Sequence, residues 1–264
     1  MIPQILAAAM VLSPGGMQSQ AATPHSNFDT FEVATIKPVD PGPKDGRYII
    51  MQGPDTFVAK NYTLALLIAA AYEVNPNMIL GGPSWVESAH YDILARTQGE
   101  VRPTHDEQMR MLRNLLADRF KLTFHRQQKV FSIYDLEVDK GGEKMKPSTA
   151  PADAPPAVIS TVYPQHIVLP ARNVTMGDFV SLLQRAILDR PVVDKTGLAS
   201  RYDFDLSWAP DASQFGGEVP TAPADASSPP LFTAIREQLG LRLEATRGPV
   251  EALAIDQVER PSPN

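Results

Sequence analysis

Apolar residues recur at helical spacing in two segments of the chain, residues 64–74 and 176–188. Side chains three or four positions apart lie on one face of a helix, so both segments are predicted to be helices that pack against a core. A threonine stands just before each segment, where its hydroxyl group can cap free backbone N–H groups. These threonines are Thr63 and Thr175, and the apolar positions are Leu66, Leu67, Ala70 and Ala71, then Phe179, Leu182, Leu183 and Ile187.

Each of these helices is followed by a further predicted helix and by strand-like alternation. In the first half, Thr104 and Glu107 have the spacing of a capping box ahead of an apolar stripe. In the second half, residues 231–239 form the corresponding helix. After each helix we expect two strands joined by a turn. The turns are predicted at residues 127–129 and 247–249, the second of which contains glycine and proline.

The two halves also share short stretches of sequence. Asn61 and Asn173 occupy matching positions between a predicted strand and its helix, and Tyr91-Asp92 matches Tyr202-Asp203. Elements in this order, without regular β-α-β alternation, favour helices packed on one face of a mainly antiparallel sheet. The sequence therefore predicts an α+β protein built from two tandem copies of a β-α-β-α-β-β module.

Composition sets the boundaries of these copies. The first copy is assigned to residues 28–139 and the second to residues 158–264. Residues 140–157 are rich in proline and alanine and are predicted to be a linker. The second copy carries a proline-rich insert at residues 209–230. Residues 1–22 contain an apolar run followed by a small-x-small pattern, which predicts an export signal.

Charge and cysteine content narrow the classes of function. The net charge is −6 and the 24 lysine and arginine residues are scattered, so the basic surface expected for nucleic-acid binding is absent from the sequence. The chain has no cysteine, which excludes disulfides, thiolate metal sites and cysteine nucleophiles. Beyond the N-terminal segment, no apolar run approaches the length of a membrane span. We expect an exported protein, periplasmic or extracellular, with no membrane span in the mature chain.

The motifs of common enzymes are missing from the sequence. It contains no Gly-x-Ser-x-Gly elbow, no His-Glu-x-x-His helix and no glycine-rich phosphate loop. His125, at the end of a predicted strand, and His90 remain as candidates for a general base, and the alternative is that they are surface histidines.

A pair of carboxylates is the candidate for a metal site. Asp203 and Asp205 are two positions apart on a predicted strand, so both lie on one face, and Asp194 lies in an adjoining turn. Oxygen ligands of this kind suit calcium. The alternative is a solvated strand face without any cofactor, which is the first expectation.

Four aromatic residues cluster around the matching helix-strand-strand region of the two copies. They are candidates for ligand binding, with core packing as the alternative, since large aromatics dominate the burial of small modules. They are Trp85, Tyr91, Tyr202 and Trp208.

Several motifs in order resemble one family. They are Phe31-Glu-Val-Ala-Thr-Ile-Lys-Pro, Leu115-Leu-Ala-Asp-Arg-Phe-Lys-Leu-Thr-Phe-His-Arg, Pro191-Val-Val-Asp-Lys-Thr-Gly-Leu, Tyr202-Asp-Phe-Asp-Leu and Gln238-Leu-Gly-Leu-Arg-Leu-Glu. Over about residues 28–264 the chain resembles the soil-acidobacterial exported family that carries domain of unknown function 3738. The resemblance implies export and attachment, in some members, to membrane sensor-peptidases, and it implies no catalytic residues. More weakly, the second copy resembles the short N-terminal modules of secretins and TonB-dependent transporters, which bind partners.

Three functions are compatible with these features. The first is an extracytoplasmic binding or interaction module, which includes a sensory role, with a small molecule, peptide or envelope protein as its partner. The second is an unconventional secreted hydrolase of small esters or lactones, assisted by calcium at the aspartate pair. The third is a structural envelope protein without a ligand.

Overall fold

The computed structural model describes residues 28–261, apart from residues 43–45, 100, 152–153, 159, 164 and 218. The export signal predicted at residues 1–22 lies outside the described residues. None of the helices in this described part of the chain has the length and hydropathy of a membrane span.

The described residues form an α+β fold with three sheets, and most strand pairs are antiparallel, as predicted. The strands are β1 (Val33–Val39), β2 (Tyr48–Gln52), β3 (Thr56–Thr63), β4 (Ile79–Leu80), β5 (His90–Arg96), β6 (Thr123–Val138), β7 (Lys146–Pro147), β8 (Ala157–Val158), β9 (Thr161–Val162), β10 (Ile167–Val174), β11 (Val192–Asp194), β12 (Tyr202–Trp208) and β13 (Leu241–Gln257).

Five α-helices accompany the strands in the described residues, and the last turns of α4 and α5 widen into π-helix. The α-helices are α1 (Leu64–Tyr72), α2 (Trp85–Ser88), α3 (His105–Arg119), α4 (Met176–Leu182) and α5 (Leu231–Ala234), and the π-helical turns are Leu183–Ile187 and Ile235–Leu239.

Local capping signals in the sequence are confirmed. The Thr63 hydroxyl caps α1, and the capping box of Thr104 and Glu107 starts α3. A second capping box, formed by Thr175 and Asp178, starts α4. These predictions hold because a capping box depends only on residues within one turn of the chain.

Two sheets each pack against helices of their own half. The first sheet has the strand order β1-β5-β3-β2, and α1 and α3 cover its inner face, where Phe57 and Ile93 are buried. The second sheet has the order β7-β12-β10-β8, with β9 also paired to β10. Its core contains Phe179, Leu206 and Trp208. Burial of these apolar side chains is the main force that holds each layer together.

The third sheet corrects the predicted turns. Residues 127–129 and 247–249 are not turns, because β6 and β13 are continuous strands that pair with each other along almost their whole length. Gln127 pairs with Ala252, and Pro249 pairs with Val130. Each segment with a turn-like sequence therefore finds its pairing partner in the other half of the chain.

Short strands cross between the halves in this third sheet. β4 of the first half pairs in parallel with β13, where Leu253 lies beside Ile79. β11 of the second half pairs in parallel with β6, where Tyr134 lies beside Val192. The buried core of each half consequently contains side chains from the other, Leu253 in the first and Tyr134 in the second.

Side-chain hydrogen bonds also connect the two halves of the chain, between the end of α1 and the π-helical turn after α4. Asn75 is almost completely buried, and its Nδ2 donates to the carbonyl oxygens of Gln184 at 2.6 Å and Leu188 at 3.1 Å. In return, Gln184 Nε2 donates to the Glu73 carbonyl at 2.8 Å. Glu73 has a left-handed backbone, with φ of 55°, and ends α1 just after Tyr72. The predicted helix over residues 64–74 is therefore shorter in the structure.

Both proline-rich segments contribute to the fold. The segment predicted as a linker, residues 140–157, supplies the edge strand β7 to β12 and the first residue of β8. The insert at residues 209–230 is closed at its base, where Ala209 N donates to Pro229 O at 2.9 Å. Inside it, the fully buried Gln214 accepts a hydrogen bond from Trp208 Nε1 at 2.8 Å.

Candidate functional site

An asparagine with a left-handed backbone interrupts one central strand in each of the first two sheets. Asn61 in β3 has φ of 59°, and Asn173 in β10 has φ of 56°. The pairing register shifts at both places, as expected for a β-bulge. Asparagine accepts this conformation at lower cost than most residues.

An aspartate on the neighbouring strand holds each bulge. Asn61 N donates to Asp92 Oδ1 at 3.0 Å, and Asn173 N donates to Asp203 Oδ1 at 2.8 Å. Asp92 also accepts a hydrogen bond from Lys60 Nζ at 2.5 Å. The two carboxylates are therefore fixed at corresponding places on the two sheets.

A shallow depression opens beside each of these aspartates. We call them the Asp203 depression, of about 440 Å³, and the Asp92 depression, of about 510 Å³. The Asp203 depression is lined by Lys144, Met145, Lys146, Arg172, Asp203, Phe204, Asp205 and Gln238. The Asp92 depression is lined by Val39, Asp40, Pro41, Gly46, Tyr48, Lys60, Asn61 and Asp92.

The charges of the two depressions differ. Three cationic side chains and two carboxylates line the Asp203 depression, whereas one cationic side chain and two carboxylates line the Asp92 depression. In the former, Arg172 forms an ion pair with Asp205 at 2.8 Å. Leu94 occupies the position in the first sheet that matches Asp205, so this ion pair is confined to the second sheet. The Asp203 depression has the more positive lining.

Asp203 remains ionised at neutral pH. Its pKa is lowered by the hydrogen bond from Asn173 N, by a hydrogen bond from the Ser148 side chain and by the charge of Arg172. Both aspartates of the predicted pair thus have cationic or N–H partners within the protein.

The three aspartates proposed for calcium are divided between two sheets. Asp194 ends β11 in the third sheet, and its Oδ1 accepts hydrogen bonds from Thr196 N at 2.9 Å and Thr196 Oγ1 at 2.7 Å. Asp203 and Asp205 lie on β12 in the second sheet. Over the described part of the chain, no group of three or more histidine, aspartate or glutamate side chains could hold a metal ion.

The two candidate histidines lie apart. His125 is on β6, and its Nδ1 is 2.8 Å from Asp256 Oδ1, with both side chains about half exposed. His90 starts β5, and its Nδ1 is 3.3 Å from the Asn61 carbonyl oxygen. A histidine oriented by a carboxylate is the arrangement of a general base. His125 has such a carboxylate beside it, whereas His90 lies beside a backbone carbonyl.

The four aromatic candidates are mostly core residues. Tyr91, Tyr202 and Trp208 are buried, and Tyr91 packs edge-on against Phe120. Trp85 is partly exposed, with the Arg260 guanidinium 5.2 Å from the centre of its ring. The first three rings contribute packing, and Trp85 is the one whose ring solvent can reach.

Sequence reasoning missed the cationic side of the Asp203 depression. Lys144 and Lys146 come from the segment predicted as a linker, and Gln238 comes from the π-helical turn after α5. Their proximity to β12 depends on tertiary packing. The sequence pointed to one of these cations, Arg172, because it directly precedes Asn173, just as Lys60 precedes Asn61.

Comparison with known proteins places the chain in a family. No curated protein and no solved structure matches it. The family model described as protein of unknown function (DUF3738) matches residues 65–258, which is most of the chain. The match agrees with the resemblance seen in the sequence motifs, and the chain therefore belongs to the DUF3738 family of proteins of unknown function.

Proposed function

We propose that this protein is an exported binding module that takes an anionic ligand in the Asp203 depression. The observation that carries the proposal is the set of three cations, Lys144, Lys146 and Arg172, around one open depression. Arg172 is occupied by Asp205, which leaves the two lysines to meet a ligand carboxylate or phosphate. The same cations oppose a calcium ion at Asp203 and Asp205.

Hydrogen-bonding groups in the same place suit a polar ligand. Gln238 Oε1 accepts from Ser207 N at 2.9 Å, and Gln238 Nε2 donates to Ser207 O at 2.8 Å, so the Gln238 amide caps the edge of β12. Lys144 Nζ donates to Glu237 O at 2.9 Å. This hydrogen bond is exposed to solvent, so a ligand anion can replace the carbonyl as the partner of Lys144. An acidic peptide or a small polycarboxylate fits these groups.

We also propose that the fold consists of two copies of one module. Matching bulges at Asn61 and Asn173 support this origin. The third sheet supports it as well. Val130 of β6 pairs with Pro249 of β13 near the middle of the two strands. The crossing strands pair at equivalent places, with Tyr134, four residues after Val130, and with Leu253, four residues after Pro249. We further propose that the chain is exported and that it comes from the soil acidobacteria. Its second copy is proposed to have a fold like that of the short modules of secretins and TonB-dependent transporters.

Calorimetry tests the ligand. Citrate and an acetylated tri-glutamate peptide are titrated into the wild-type protein and into a Lys144→Ala/Lys146→Ala variant. We expect saturable binding of at least one probe to the wild type and at least about tenfold weaker binding to the variant, because two charge-assisted contacts are lost. Lys60→Ala, at the Asp92 depression, is the matched control and should bind like the wild type. Unchanged binding in the double variant, or no binding of either probe, would contradict the proposal.

The His125–Asp256 pair favours a second candidate, hydrolysis of small esters or lactones. Its 2.8 Å contact could orient the imidazole so that the other ring nitrogen accepts a proton from water. Turnover of p-nitrophenyl acetate and a lactone panel is compared in wild type, His125→Gln and Asp256→Asn, with and without a calcium chelator. Activity that depends on His125 supports the hydrolase, and a flat response across the panel removes it.

A further inference from the structure

The edge strand β2 lacks the features that normally protect a sheet edge. Its five residues, Tyr48–Gln52, include no charged side chain and no proline. The opposite edge of the first sheet, β1, contains Lys37 and Pro38. In the other two sheets the outermost described strands are only two or three residues long, and the parts of β6 and β13 that they leave uncovered contain charged residues, such as Lys129 and Glu251. Charge, proline and short length are the usual obstacles to pairing with another chain, and β2 has none of them.

An apolar row leads across the outer face of the first sheet to this edge. Leu94 is paired with Val58, and Val58 is paired with Ile50, so the three side chains lie side by side on one face. This face is opposite the one covered by α1 and α3, since the neighbouring residues Phe57 and Ile93 point into the core. Leu94 is 53% exposed and Ile50 is 43% exposed. Val58 is buried between them, so the row reaches solvent at Ile50, on an edge strand whose outer side pairs with no other strand in the described part of the chain.

Charges at the two ends of β2 favour one orientation of a partner strand. Arg47 precedes the strand, with its guanidinium 5.4 Å from the centre of the Tyr62 ring, and Asp55 lies in the turn that follows the strand. Antiparallel pairing of two β2 strands brings Arg47 of each copy towards the Asp55 turn of the other. Parallel pairing would bring the two arginines together, at a cost in Coulomb energy.

We propose that β2 pairs antiparallel with β2 of a second copy, centred on Ile50, to form a weak two-fold symmetric dimer. In this register the rows of Leu94, Val58 and Ile50 from both copies join into one apolar row across the seam. The contact is self-complementary, as a two-fold interface requires. Because the Asp203 depression belongs to the second sheet, the dimer and the ligand proposal can fail independently.

Single cysteines test the seam directly, since the protein has no cysteine of its own. The Cα atoms of directly opposed residues in an antiparallel pair are about 5 Å apart, within the range that a disulfide spans. Ile50→Cys should therefore form a disulfide-linked dimer under mild oxidation at least about tenfold faster than Val162→Cys, an exposed position on β9 of the second sheet. Equal rates for the two variants would overturn the proposal.

Sedimentation equilibrium over a concentration series of the full chain gives a second readout. We expect a monomer–dimer equilibrium for wild type and for Val162→Lys, and an association constant at least about tenfold lower for Ile50→Lys, which places two like charges at the seam. A wild-type protein that stays monomeric over the whole series would overturn the second copy as partner. If that monomer instead bound an extended peptide, and Ile50→Lys lost this binding, the edge would serve strand addition by a different partner.

Discussion

Asn173 combines a left-handed backbone with a buried side chain. Its N–H binds Asp203, its Nδ2 donates to Ala154 O at 2.6 Å, and its carbonyl accepts from Arg201. The sequence indicated that Asn173 matches Asn61, but the positive φ is not readable from an asparagine alone. The role of the residue became visible only with the neighbouring strand in place.

Substitutions of Asn173 should separate backbone conformation from side-chain bonding. Both Asn173→Gly and Asn173→Ala lose the bond to Ala154, but alanine additionally pays for the left-handed conformation. We expect the alanine variant to be about 1 kcal/mol less stable than the glycine variant, measured as the free energy of unfolding in urea. Equal stabilities would mean that the bulge relaxes to a negative φ.

The lowered pKa of Asp203 predicts a pH-dependent contribution to stability. The native carboxylate binds its proton more weakly than the unfolded one, so it stabilises the fold at neutral pH, and this stabilisation is lost as the pH falls below about 3.8 through the native pKa. The difference in unfolding free energy between wild type and Asp203→Asn should therefore shrink in that range. Asp225→Asn, in the exposed part of the insert, is the control for the change in charge. A difference that stays constant with pH would contradict the assignment.

At the scale of elements, helix starts could be predicted from the local sequence, whereas the pairing of strands far apart in the chain could not. The capping threonines define α1, α3 and α4 in the sequence as they do in the structure. By contrast, Gly248 and Pro249 have a turn-like sequence but lie inside β13. A Cβ atom on Gly248 would lie 2.8 Å from Ile133 Cδ1, so this glycine leaves room for the end of the Ile133 side chain of β6 and does not form a turn.

Gly240 should be the most sensitive glycine at a helix end. It follows the π-helical turn after α5 with φ of 68°, and a Cβ atom there would lie 2.1 Å from the Gly142 carbonyl oxygen. Gly197 has a similar φ of 69° but open space around it. We expect Gly240→Ala to lower the unfolding free energy by about 2 kcal/mol or more and Gly197→Ala by about 1 kcal/mol. Equal losses in thermal or urea denaturation would show that the Gly142 backbone moves aside.

At the scale of the whole molecule, the exchange of strands decides what can fold alone. Sequence similarity predicted two successive modules. It carries no information on the pairing of β6 with β13, or on the strands that cross from one half to the other. The depression lining was hidden for the same reason, because Lys144 and Lys146 reach β12 only in the folded chain. Contacts between residues far apart in sequence are the part of this fold that local patterns do not encode.

Separate halves should therefore not fold. Residues 28–139 lack the partner of β6, and residues 140–264, which include β7, lack the partner of β13. Each half expressed alone should show no cooperative thermal transition by circular dichroism, and mixing the two should restore one. The intact chain is the control. A half that unfolds cooperatively by itself would contradict this prediction.

The pairing of β6 with β13 also sets the order of events during folding. The innermost pair of these antiparallel strands is Val138 with Leu241, so the loop that closes the pairing comprises residues 139–240, and its closure is entropically costly. Contacts of such high sequence separation slow folding. During synthesis, β6 leaves the ribosome long before its partner exists, and its unpaired edges stay exposed until β13 has been made. Folding of the first half is thus a late event, completed together with the second.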